Sequence, residues 1–156
     1  LIKALLRGLN SMKEENLGQV VETIVYLQRR ISTKIKWQIN NTLPTENLTM
    51  INRHLFEWVI ENLCKNAVDA MAGIGELHIS VSETAGKKVS IEIRDTGKGI
   101  SKQNQRKIFR PGFSTKKRGW GLGLTLAKRI IETYHKGHLF IKATELNKGT
   151  TFQITL

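Results

Sequence analysis

Apolar residues recur at helical spacing through residues 1–32, first as Ile2, Leu5, Leu6 and Leu9, then as Val20, Val21, Ile24, Val25, Leu27 and Ile31. That period predicts helix, and Asn10, Ser11 and Gly18 divide it into two pieces. Residues 34–39 alternate instead, with Ile35, Trp37 and Ile39 on one face, and predict a strand. Residues 40–47 contain Pro44 and predict a loop. Over residues 50–71 the helical period is strongest, with Leu55, Phe56, Val59, Ile60, Leu63, Ala67, Val68 and Met71 tracing one core face. Gly73 and Gly75 end it, because helix C-termini favour residues that tolerate positive φ.

Two alternating runs follow. Leu77, Ile79 and Val81 point inward in the first and Val89, Ile91 and Ile93 in the second, with Gly86-Lys87 as the hairpin turn. Ser101 caps a short helix carrying Ile108 and Phe109. Residues 110–120 combine Gly, Lys, Arg and Ser with Pro111 and read as a long loop. A second amphipathic helix covers residues 122–134 through Leu124, Leu126, Ala127, Ile130 and Ile131, and residues 139–143 and 151–156 close the chain as strands. The expected fold class is therefore α/β, a two-layer sandwich of a mixed sheet with helices on one face.

Composition adds three constraints. At 156 residues the chain has the length of one domain, and no apolar run approaches the length that spans a bilayer. A single cysteine, Cys64, excludes an internal disulfide and a thiolate-rich metal site, and its place in an apolar-periodic helix makes it a small buried hydrophobe. His54 and His78 stand alone, and Gly137 separates His135 from His138, so histidine metal binding is not expected. The net charge of +12 first suggests nucleic acid. No aromatic-interleaved recognition pattern accompanies the basic residues, however, and a polyanionic small ligand or an acidic partner accounts for the charge as well.

Three motifs carry candidate chemistry. Asn62 and Asn66 lie four apart, so both amides leave one side of the helix, where their oxygens suit a hard cation such as magnesium. Asp95 ends an alternating strand and precedes Thr96-Gly97-Lys98-Gly99, where a carboxylate can accept from an exocyclic amine and glycines admit a flat ring. Gly119-Trp120-Gly121-Leu122-Gly123-Leu124 opens a helix, whose free N–H groups suit phosphate. Each motif is weak alone; their order and spacing together are specific.

Glu61-Asn62-Leu63-Cys64-Lys65-Asn66-Ala67, Asp95 to Ile100, Phe109-Arg110-Pro111-Gly112-Phe113-Ser114-Thr115-Lys116, Gly119 to Leu124 and Lys148 to Phe152 resemble the sequence boxes of sensor histidine kinase catalytic domains. These belong to the gyrase–chaperone–kinase–MutL ATPase superfamily, and the resemblance covers residues 34–156. It implies the Bergerat ATP-binding fold, with ATP and magnesium as cofactors. It assigns Asn66, with Asn62, to the metal and Asp95 to the adenine amino group. Gly97, Gly99 and Ile100 would lie beside the ring, Lys116 and the backbone of Gly119, Trp120, Gly121, Leu122, Gly123 and Leu124 around the phosphates, and Thr150 in support of the adenine contacts. Phe109 and Phe113 would anchor a lid, or simply pack in the core. Asn62, Asn66 and Lys116 are the catalytic candidates.

The same resemblance separates subfamilies. Gyrase-like and MutL-like members carry a water-activating Glu where this chain has Asn62, and an amide cannot act as a base. That points to transfer of the γ-phosphoryl to a protein group, with Glu61 turned about 100° away. Two positions depart from the pattern: Asp69 stands where many members are basic, as in the nitrogen-regulator type, and Trp120 replaces a small residue, to pack over the lid or to narrow the pocket. None of the four histidines is followed by an acid, as a phosphoacceptor usually is, so residues 1–32 are expected to be the remnant of a dimerisation hairpin or a linker, ahead of a catalytic domain over residues 33–156. The expected partners are the phosphoacceptor domain and a response regulator, without nucleic acid or membrane contact, and the expected location is cytoplasmic. Rival readings are an anti-sigma-type serine kinase and a non-catalytic nucleotide-binding module.

Overall fold

The computed structural model describes residues 11–30 and 34–156. The apolar period of Ile2, Leu5, Leu6 and Leu9 lies outside the described residues. In chain order the elements are β1 (Met12–Glu15), α1 (Leu17–Gln28), β2 (Ile35–Asn41), β3 (Thr49–Asn52), α2 (Arg53–Ala70), β4 (Gly75–Glu83), β5 (Val89–Asp95), α3 (Lys102–Gln105), α4 (Gly123–Arg129), β6 (His138–Glu145) and β7 (Gly149–Thr155). Five strands form a mixed sheet in the order β2-β4-β5-β7-β6, in which only β2 and β4 run parallel. Parallel neighbours need a long crossover, and α2 supplies it.

Alternation sorts the two faces of the sheet. Leu77, Ile79, Val81, Ile91, Ile93 and Ile154 are buried against the helices, and His78, Glu92 and Arg94 lie on the opposite face. From the helices come Val21 and Ile24 of α1, Phe56, Ile60 and Leu63 of α2, and Ala127 of α4, all buried in one core. The sandwich expected from the sequence is the observed fold. Cys64 is fully buried in it, and burial, with the charge of Glu61, pushes its thiol up to about 12.

Four boundaries differ from expectation. Met12–Glu15 is not helical but pairs antiparallel with Thr49–Asn52, which the helical period had absorbed into α2. α1 and α2 each start after an asparagine cap: Asn16 Oδ1 accepts from Gln19 N–H at 3.1 Å, and Asn52 Oδ1 from Leu55 N–H at 3.1 Å. Gly18 does not break α1; it lets the helix approach Asn41, whose side chain would lie 2.3 Å from an added Cβ. Ser101 does cap α3, accepting from Asn104 N–H, but the helix ends before Ile108 and Phe109. The helix expected over residues 122–134 is α-helical to Arg129 and then widens into a π turn, Ile130–Tyr134. There His135 is buried, its Nε2 accepting from Asn52 N–H at 3.0 Å and its Nδ1 within 2.9 Å of the Ile130 carbonyl. That ring ties the end of the π turn to the start of α2.

Candidate active site

The site has two ends joined by α2. At one end, Asp95 closes β5, the strand between β4 and β7, where the residue is 3% exposed. Its Oδ1 accepts from Gly97 N–H at 2.8 Å and from Thr150 N–H at 3.3 Å. Burial raises its pKa above the usual carboxylate range, and those two N–H groups draw it back. Among the described residues no side chain or N–H donates to Oδ2, which leaves one oxygen of a fixed carboxylate for a ligand's donor.

The turn after Asp95 is clamped from both sides. A Cβ on Gly97 would lie 2.6 Å from the backbone of Ala70, the last residue of α2, and Lys98 N–H donates to the Ala70 carbonyl. Gly99 has φ +70° and its Cβ would lie 2.1 Å from the Glu145 carbonyl. Only glycine fits that approach. Ile100 N–H donates to Thr144 Oγ1 at 2.9 Å, and the Thr144 and Thr150 hydroxyls lie 2.8 Å apart. Thr144 is therefore a hub of this wall that the sequence did not reveal; it sits on an edge strand beside a bulge between Ile141 and Ala143, with no local signal.

At the other end, the period of α2 stacks Asn62, Asn66 and Asp69 on one side. Asn66 Nδ2 donates to Asn62 Oδ1 at 3.3 Å. Lys116, from the long loop, reaches across to donate to Asn66 Oδ1 at 3.0 Å and Asp69 Oδ2 at 2.5 Å. Asn66 and Ala70 are one helical turn apart and Asn62 is two, so the amides sit about 6 Å and about 12 Å along the axis from the Gly97 contact. Gly123, the first residue of α4, packs on Asn62, whose Nδ2 would be 2.8 Å from an added Cβ. No side chain caps α4, so its first N–H groups stay available to an anion.

The loop between the ends is a strap over residues 110–122. Gly112 N–H donates to the Gly121 carbonyl at 3.1 Å and closes its base. Phe109 packs edge-on against Phe152 at 6.4 Å, with the Lys128 ammonium over its ring. Phe113 is half-buried against the core. Trp120 neither covers the loop nor narrows a pocket here; it is 88% exposed, and Leu122 is 50% exposed. Leu124 is half-buried against the core, and Gly119 has nothing near its absent Cβ. A concavity of about 540 Å³ borders α2, lined by Trp37, Trp58, Glu61, Asn62, Lys65 and Asp69. It includes neither Asp95 nor the glycines, but it reaches the side of α2 that carries Asn62 and Asp69. Glu61 lines the same concavity.

Residues 52–156 match the family model described as histidine kinase-, DNA gyrase B- and HSP90-like ATPase. The chain belongs to this ATPase family. Within it, sporulation kinase C of Bacillus subtilis is 39% identical over 94% of this chain, which covers 34% of that protein. Signal transduction histidine-protein kinase AtoS of Escherichia coli is 34% identical over 92% of this chain, which covers 24% of it. Among solved structures, the nucleotide-free catalytic domain of histidine kinase ThkA superposes with a TM-score of 0.83 at 26% identity, covering 94% of this chain and 95% of that one. The ATPase fold here is thus that of a histidine kinase catalytic domain, and the chain spans less than half the length of the curated relatives it matches. Among the described residues no three His, Cys, Asp or Glu side chains group to hold a metal, and no helix is long and apolar enough to cross a membrane.

Proposed function

We propose that this chain is the ATP-binding catalytic domain of a two-component sensor histidine kinase, and that it transfers the ATP γ-phosphoryl to a histidine other than its own four. The observation that carries this reading is the buried Asp95 carboxylate. It is fixed through one oxygen, open at the other, and its turn docks on Ala70, one helical turn from Asn66 and two from Asn62. Asp95 accepts from the adenine amine, while Gly97, Gly99 and Ile100 line the ring and Thr150, braced by Thr144, holds Oδ1 in place. Lys116 and the N–H groups from Gly119 through Trp120, Gly121, Leu122 and Gly123 to Leu124 take the phosphates.

The donor set fits magnesium. Asn66 Oδ1 already accepts from a cation, the Lys116 ammonium, and Asn62 stands one turn away. When bound, the metal neutralises charge on the phosphates, so that this chain's residues have only to align the γ-phosphoryl with its acceptor. Asn62 is an amide, which cannot act as a base, and the Asp69 carboxylate is engaged by Lys116. That favours transfer over hydrolysis. The acceptor lies on the dimerisation domain of the same kinase, a response regulator receives the phosphoryl next, and the domain works on the cytoplasmic side.

Titration with a non-hydrolysable ATP analogue tests the site. Binding is expected to strengthen with magnesium, and Asn66→Ala is expected to abolish most of that strengthening, about ten-fold, while leaving metal-free binding within about two-fold. An analogue that does not bind the wild-type chain overturns the reading. Supplying the phosphoacceptor hairpin in trans should yield acid-labile phosphohistidine; acid-stable phosphoserine would assign the chain to a serine kinase instead.

A further inference from the structure

Asp69 is the one residue of the α2 face that the proposed function leaves without a task. It follows Asn66 by three positions on the same side of the helix, and it brings a negative charge to a chain of net charge +12. Its Oδ2 lies 2.5 Å from Lys116 Nζ, and the same ammonium lies 3.0 Å from Asn66 Oδ1. The loop is shaped locally for this reach, since Lys116 N–H donates to Ser114 Oγ at 3.1 Å. Chain distance makes the contact informative: Lys116 and Asp69 are separated by 47 positions, and nothing else in the strap between Gly112 and Gly121 ion-pairs with α2 among the described residues.

Resting on the ATP reading, we propose that Asp69 is a positioning residue for the lid. It holds Lys116 across Asn66, so that the ammonium and a divalent cation compete for one amide oxygen, and metal–nucleotide binding releases the strap. Two positive charges cannot share Asn66 Oδ1 at contact distance without strong repulsion. A metal seated there displaces Lys116, and the freed ammonium moves to the phosphates, the nearest dense negative charge. Asp69 thereby makes strap release depend on the metal rather than on nucleotide alone. Asn66 itself cannot do this, because a neutral amide oxygen holds an ammonium less strongly than a carboxylate does.

Trypsin cleavage after Lys117 and Arg118, located by mass spectrometry, reads the strap directly and needs no nucleotide. In the 156-residue chain, Asp69→Asn and Lys116→Met are each expected to speed cleavage about two- to five-fold, the range for a partly exposed ion pair. The double variant should be no faster than Lys116→Met alone, and Asp69→Glu should restore most of the protection. Cleavage unchanged by Asp69→Asn, or two effects that simply multiply, overturns the latch. Saturating magnesium and ATP analogue should then erase the difference between wild type and Asp69→Asn; a difference that persists overturns displacement by the metal. Failure of the analogue to bind sinks the ATP reading instead, while the nucleotide-free rates still decide whether Asp69 restrains the strap.

Discussion

The wall around Asp95 and the strap over residues 110–122 are both glycine-rich, yet the wall glycines and the strap's Gly112 and Gly119 do opposite work. In the wall, side-chain space is absent: a Cβ on Gly99 would meet the Glu145 carbonyl at 2.1 Å, and one on Gly149 would meet the Asp95 carbonyl within 1.9 Å. In the strap, Gly112 and Gly119 have positive φ, +80° and +133°, and nothing within 4 Å of a Cβ. Only Gly121, at the base, is packed like the wall, a Cβ there lying 2.6 Å from the Gly112 and Phe113 backbone. The wall uses glycine to bring backbones together and fix a carboxylate. The strap uses it to let a chain turn in solvent. Under the proposed ATP reading, the first property suits a surface for a rigid ring and the second a segment that closes over phosphates.

Gly99→Ala tests this contrast most severely. Positive φ and backbone overlap together should cost about 3 kcal/mol or more of unfolding free energy, measured by urea denaturation. Asp95→Asn comes next. The amide oxygen keeps both N–H contacts, but its NH2 group then faces a ligand donor, and analogue binding should fall about a hundred-fold. Stability should move the other way. Burial raises the folded pKa of Asp95, so its contribution to stability is present below the unfolded pKa and lost as pH rises through the folded one. At pH 7 the variant should therefore melt at or above the wild-type temperature, and that margin should shrink in acid as Asp95 protonates. A variant that melts lower at pH 7 and keeps that deficit at every pH would show that the carboxylate stabilises the wall instead.

Gly112→Ala should cost only about 1 kcal/mol, from positive φ alone; a loss equal to that at Gly99 would erase the distinction between the two regions. Trp120→Ala should be smallest, within about 0.5 kcal/mol of wild type, because an 88% exposed ring has little packing to lose. A larger change would place the ring against the protein.

Much of the site was legible because its signals are local. The 3.6-residue period puts Asn62 and Asn66 on one side of α2, and alternation carries Asp95 to the end of β5 with Gly97 and Gly99 after it. The strap was legible as a loop from its composition. Thr144 was not, since its role comes from facing Thr150 across a hairpin and Ile100 across the sheet edge. The role of Trp120 was open between two contacts, and it makes neither of them. Asp69 stood out as a departure from the family pattern, but its partner 47 positions away could not be read from spacing.

By itself the sequence determined the strongly periodic elements, the layered fold class and the chemistry of each motif, because periodicity, turn residues and side-chain type act over a few positions. Tertiary structure decided the rest. Met12–Glu15 became a strand only because Thr49–Asn52 offered it an antiparallel partner, and α2 started at Arg53 only because the Asn52 cap and that pairing ended its helical period. The final turn before His135 widened to suit a buried ring held by Asn52. Lys116 reached Asn66 and Asp69 through the path of the strap. These are contacts between distant segments, whose energies exist only once the sheet and helices have brought the segments together.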